Sequence, residues 1–138
     1  MYTYSHCVEK IEYQGSVEDW CKINFDYRGY VVAMRNGRTL LMGADLYITG
    51  DLVENLVIPD GVAVLKDNAF MGCKSIKTVT IPKSVASIER QVFAGCENLQ
   101  TITFKGTVAQ WNAISKGEDW AKNTGVDKVV CTDGEVAL

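Results

Sequence analysis

One histidine and five cysteines are the residues of this 138-residue chain whose side chains most readily carry chemistry. His6 and Cys7 are neighbours, but residues i and i+1 point to opposite sides of an extended chain, so they form no ready nucleophile–base pair. The N-terminal segment around them is expected to be loose or locally packed. Glu18 and Asp19 are adjacent carboxylates; at the start of a helix they favour the dipole and do not work as an acid–base pair. The chain has no H-E-x-x-H, no G-x-S-x-G and no phosphate loop ending in G-K-[ST]. Cys7, Cys21 and Cys131 show no C-x-x-C spacing for zinc. Cys73 and Cys96 read as small buried apolar residues. Asp60-Gly61 and Asp133-Gly134 are turn signals. The sequence is therefore read as non-enzymatic, with no catalytic residue, no metal ligand and no cofactor.

The elements that would position any functional group are bounded by length and charge. A chain of this size forms one domain and buries about two-thirds of its unfolded surface. Its 17 Asp and Glu outnumber 14 Lys and Arg, and the pI is about 5.1. A nucleic-acid footprint needs a clustered basic excess, so no nucleic-acid partner is expected. No apolar run approaches the roughly 18 residues of a membrane span, so no membrane partner is expected either. The first residues, "MYTYSHCVEKIEY", lack the basic and apolar regions of a secretory signal. The odd cysteine count leaves at least one thiol unpaired within the monomer. With no N-x-[ST] sequon, these features favour a reducing, cytoplasmic location, or an extracellular one if a leader has been removed.

The middle of the chain nearly repeats itself. Ile58-Pro59 returns as Ile81-Pro82, Val62 as Val85, Phe70 as Phe93 and Gly72-Cys73 as Gly95-Cys96, each 23 residues on. Val53, Ile76 and Leu99 align, as do Leu56, Val79 and Ile102, then Ile58, Ile81 and Phe104. Beyond the prolines come Val62, Val85 and Val108, then Leu65, Ile88 and Trp111. A fixed period of this length is the mark of a solenoid, in which each coil buries its face against the next. The spacing of two in "VTI" and "ITF" marks a short strand with alternate residues inward. "ERQVFAGCENL" reads as a short helical turn. Pro59 and Pro82 fall at strand ends, where a missing N–H is tolerated.

The pattern L-x-x-[LVI]-x-I-P-x-x-V-x-x-[LI]-x-x-x-[AV]-F-x-x-C resembles the BspA-like leucine-rich repeats of bacterial proteins. Two full copies cover 53–98, and a degenerate third starts at Leu99. The resemblance implies an α/β fold: a short right-handed leucine-rich-repeat solenoid with a parallel concave sheet and short helical turns on the convex side. It also implies a binding scaffold and no catalyst.

The flanks fit the same plan loosely. "IEYQGSVEDWCKI" at 11–23 parallels "ITFKGTVAQWNAI" at 102–114, an offset of 91 against 92 for four repeats. Residues 1–23 thus read as a degenerate first coil, and "VEDW" and "VAQW" as short helices whose Trp plugs the core. Residues 24–52 break the period and read as a hairpin insert, with turn signals at Asn36-Gly37 and Gly50-Asp51. Residues 99–138 read as a degenerate repeat and C-terminal cap, in which "SKGEDWAKNTG" is a helical turn and loop and "DKVVCTDGEV" a last strand.

What remains is surface. Between the buried strand residues stand Asn55 and Val57, Thr78 and Thr80, Thr101 and Thr103, with Lys10 and Glu12 at the equivalent place in the first coil. The six central residues form a nearly uncharged face, suited to its threonines simply as good strand formers and also as a flat protein-docking platform. Lys74, Lys77, Lys83, Glu89 and Arg90 form a solvated rim. The leading expectation is a protein-binding module that holds a protein partner of unknown identity through this face and the hairpin. A phage- or mobile-element-encoded inhibitor of a host defence protein is the alternative. A surface adhesin is another, and it requires a row of exposed aromatics, whereas Tyr13, Trp20 and Trp111 are expected inside. The pattern also allows a homodimer through a sheet edge or the hairpin.

Overall fold

The computed structural model describes residues 9–24 and 43–138. In chain order, strand β1 (Lys10–Tyr13) leads to helix α1 (Val17–Cys21). Strands β2 (Asp45–Ile48), β3 (Asp51–Leu52), β4 (Asn55–Val57), β5 (Val64–Leu65), β6 (Thr78–Ile81), β7 (Ser87–Ile88) and β8 (Thr101–Phe104) follow. Helix α2 (Val108–Ala113) then precedes β9 (Ser115–Lys116), β10 (Lys128–Cys131) and β11 (Gly134–Ala137). His6, Cys7 and the Asn36-Gly37 turn signal lie outside the described residues.

The 23-residue period appears directly as strand register. Asn55, Thr78 and Thr101 are lateral neighbours, as are Leu56, Val79 and Ile102, in the parallel ladder β4–β6–β8. Strand β10 continues the ladder in parallel, with Val129 beside Ile102. Leu56, Val79, Ile102 and Val129 are each at most 1 % exposed and form one column of the core. Ile58, Ile81 and Phe104 form a second buried column. Phe70 and Phe93 stack nearly parallel, their centroids 5.6 Å apart. A second, narrow parallel sheet, β5–β7–β9, carries Leu65, Ile88 and Lys116 at one register position.

The expectation of one parallel concave sheet is corrected. The described residues form three sheets, and two are mixed: β11 runs antiparallel to β10, and β3 antiparallel to β2. Both antiparallel strands return through two-residue turns, which cannot supply the long crossover a parallel neighbour needs. "DKVVCTDGEV" is accordingly a hairpin, not a single last strand. Its turn is Thr132-Asp133, where Asp133 Oδ1 accepts from the Val108 amide at the start of α2. The first coil is also displaced from its expected place, because β1 pairs with β2 in a separate sheet and not with β4.

Two turns of one design, 66–73 and 89–96, correct the expectation that "ERQVFAGCENL" forms a helical turn. In the first, the amides of Asn68, Phe70 and Gly72 donate sideways to the carbonyls of Arg90, Val92 and Ala94. Those of Ala69, Met71 and Cys73 donate back three residues, to Lys66, Asn68 and Phe70. Alternation of this kind leaves no run of i→i−4 bonds, so no α-helix forms. The same pattern recurs one repeat on, where Gln91, Phe93 and Gly95 donate to Glu118, Trp120 and Lys122.

The two helices among the described residues share one design. Ser16 caps α1 and Thr107 caps α2, each completing a capping box with Asp19 or Gln110, an arrangement that satisfies two otherwise orphaned donors. Trp20 and Trp111 are buried at 2 % and 1 % exposure, as expected of core plugs. Trp111 does not occupy the Leu65–Ile88 position, which Lys116 takes; it packs against Phe104 and Trp120. Tyr13, expected inside, is only half-buried and meets Trp20 edge-on at 5.1 Å. At Gly106 a Cβ would stand 2.6 Å from the Phe104 ring and 2.5 Å from Gln110 Oε1.

Three outcomes follow from this packing, each read by urea unfolding. Phe93→Ala removes a fully buried ring from the aromatic stack and lowers stability by about 3–5 kcal/mol. Gly106→Ala forces the buried Phe104 ring or the capping Gln110 to move and lowers stability by about 1–3 kcal/mol. Thr49→Asn acts in the opposite direction. Thr49 and Gly50 join β2 to β3 with φ of 47° and 89°, the signs of a type I′ turn, in which Asn-Gly is favoured and a β-branched residue is strained. The substitution raises stability by about 0.5–1 kcal/mol.

Candidate functional site

The six residues singled out on the strands, Asn55, Val57, Thr78, Thr80, Thr101 and Thr103, come together on the outer face of the five-stranded sheet. Their inward neighbours Leu56, Val79 and Ile102 are buried in the core, so strand alternation turns these side chains outward. Register arranges them in two rows across parallel strands. Asn55, Thr78 and Thr101 form one; Val57, Thr80 and Thr103 form the other. Thr78 Oγ1 donates to Asn55 Oδ1 at 2.8 Å, tying the first two members of the upper row.

The second row runs further than the sequence reading placed it. Val130 of β10 lies beside Thr103, and Glu135 of β11 beside Val130. Val130 was missed because the strand "KVVC" carries no repeat signature; its alternation about buried Val129 was the available signal. The row Val57–Thr80–Thr103–Val130 is thus β-branched throughout. Val57, at 58 % exposure, is the most exposed large apolar side chain among the described residues.

Charge is held at the margins. Lys77 meets Glu54 at 2.8 Å on one flank, and Lys128 meets Glu135 at 3.1 Å on the other. The hydrogen bond and charge of Glu54 hold Lys77 above the ordinary lysine range. Both pairs are solvent-exposed and so contribute little to stability, but within each pair the two formal charges balance beside the uncharged rows. Lys10 and Glu12, expected in line with this face, sit on β1 in the other sheet and pair with each other at 3.4 Å.

Several of the titratable groups considered for chemistry have structural roles. Asp19 accepts from the Ser16 amide and so is held below the usual carboxylate range, as a capping residue. Cys73 and Cys96 are both 0 % exposed, and the Cys96 thiol donates to the Phe70 carbonyl at 3.0 Å. Desolvation pushes Cys96 up to about 12 and Cys21 up to about 11. Lys116 donates to the Trp111 and Ile114 carbonyls at 2.8 and 3.0 Å, closing the end of α2. Among the described residues no group of three or more His, Cys, Asp or Glu is placed to hold a metal ion. No helix there is long and apolar enough to cross a membrane.

Comparison with known families gives a match to the BspA type leucine rich repeat region (6 copies) over residues 45–115, just over half of the chain. The chain belongs to this family. Its matched region holds β2 through the first residue of β9, and therefore every strand that contributes the two outer rows except β10. Membership points to a protein-binding or adhesin-like role. No curated protein and no solved structure matches the chain. Of the aromatics an adhesin reading would expose, Trp20 and Trp111 lie in the core, and none of the seven side chains in the two outer rows is aromatic.

The buried thiols make a check of this packing. Iodoacetamide at pH 8 should modify Cys21, Cys73 and Cys96 only after unfolding, because the reactive thiolate is suppressed and access is blocked. Their folded pKa values are raised above the free-thiol value of about 8.5, so the stabilising contribution is complete below that pH. It declines as the pH rises toward the folded values, because there the unfolded chain has lost protons that the folded chain keeps. Unfolding midpoints measured from pH 8 upward should fall.

Proposed function

We propose that this chain is a non-enzymatic protein-binding module, a short right-handed solenoid that recognises a protein partner through the outer face of the β4–β6–β8–β10 ladder and the flanking β2–β3 hairpin. The observation that carries the reading is the face itself: two parallel rows of uncharged, mostly β-branched side chains. Parallel register fixes their spacing, and ion pairs at Glu54–Lys77 and Lys128–Glu135 bound them. Such a surface is already ordered before it meets a partner. Association therefore immobilises few rotamer-rich side chains, a cost of about 0.5–1.5 kcal/mol each on a floppier surface. Val57 and Val130 supply apolar area at the two ends of one row, while the threonine hydroxyls between them can exchange water for a partner's polar groups.

The test is the double variant Thr80→Arg/Thr103→Arg, which sets two long charged side chains in the middle of the lower row while leaving the core columns intact. Circular dichroism and the unfolding midpoint should stay near those of the parent chain. A protein captured by the tagged parent chain from bacterial lysate should be lost from the variant, with affinity reduced at least about tenfold, or 1.4 kcal/mol. Undiminished capture by the correctly folded variant would remove the face from consideration. If the captured protein is an enzyme, titrating its activity with the chain separates an adaptor from an inhibitor.

A further inference from the structure

We draw no further inference here: the strongest candidate, the outer edge of strand β4 with Val57 58 % and nearby Leu52 39 % exposed, offers only three residues before Pro59 removes the next donor, and nothing in the structure shows what covers it.

Discussion

The structure depends on one constraint: each repeat passes its backbone hydrogen bonds sideways to the next. In the strands this is the ordinary parallel ladder. At the turns it is the alternation in which Asn68, Phe70 and Gly72 donate to the following repeat while the residues between them bond locally. A lateral partner exists only if the next repeat presents a carbonyl at the same station, so the period is enforced at both the sheet and the turns. A slip of one residue would also turn every buried side chain of a strand to the outer face. Extra residues must therefore leave the ladder altogether. Between Ile81 and Phe104 the offset is 23, but between Ser87 and its partner Ser115 it is 28. The five added residues fall in the stretch that becomes α2, a helix with its own internal hydrogen bonds and its own caps.

The proposed function rests on the same constraint. Because register is fixed by buried columns such as Leu56–Val79–Ile102–Val129, the side chains between them have no freedom of placement. A residue that is merely a good strand former on an exposed face becomes one point in a rigid array. Threonine suits this position twice over, since its branched Cβ packs against lateral neighbours and its hydroxyl remains available. The Thr78–Asn55 hydrogen bond shows that the array can also satisfy itself laterally where two polar residues meet. Some titratable groups are engaged in holding the backbone: Asp19 in a capping box, Lys116 on helix-end carbonyls, Cys96 on the Phe70 carbonyl.

The periodic part of the fold was legible in the sequence because periodicity is a lateral contact written along the chain. Ile58, Ile81 and Phe104 could be aligned from spacing alone, and the structure puts them in one buried column. The paired motifs around Trp20 and Trp111 were legible for the same reason, although their capping residues Ser16 and Thr107 were not singled out. The non-helical turns were not, since "ERQVFAGCENL" has helix-like apolar spacing and only the sideways bonds of Gln91, Phe93 and Gly95 reveal why it does not coil. Trp111 was misplaced because aligning it with Ile88 ignores the five residues added by α2. The six outer-face residues were found by alternation. Val130 was missed because β10 belongs to the ladder by register and not by motif.

The two ends of the array are closed by different physics. At the β10 end the chain folds back as β11, and Lys128 and Glu135 face each other across that hairpin. The hairpin is anchored in turn, because Asp133 takes the free amide of Val108 at the start of α2. Withdrawing β11 would thus uncover a strand edge and orphan a helix donor together. At the β4 end no strand pairs with the outer side among the described residues. Ile58 directs its amide inward to Thr80, so the next residue along faces the open side, and that residue is Pro59, which has no amide to offer. A short strand ending in proline is a common way to keep an edge from recruiting another chain. Under the protein-binding proposal, the proline-ended β4 and the self-closed hairpin favour the broad outer face over either end of the sheet as the contact surface.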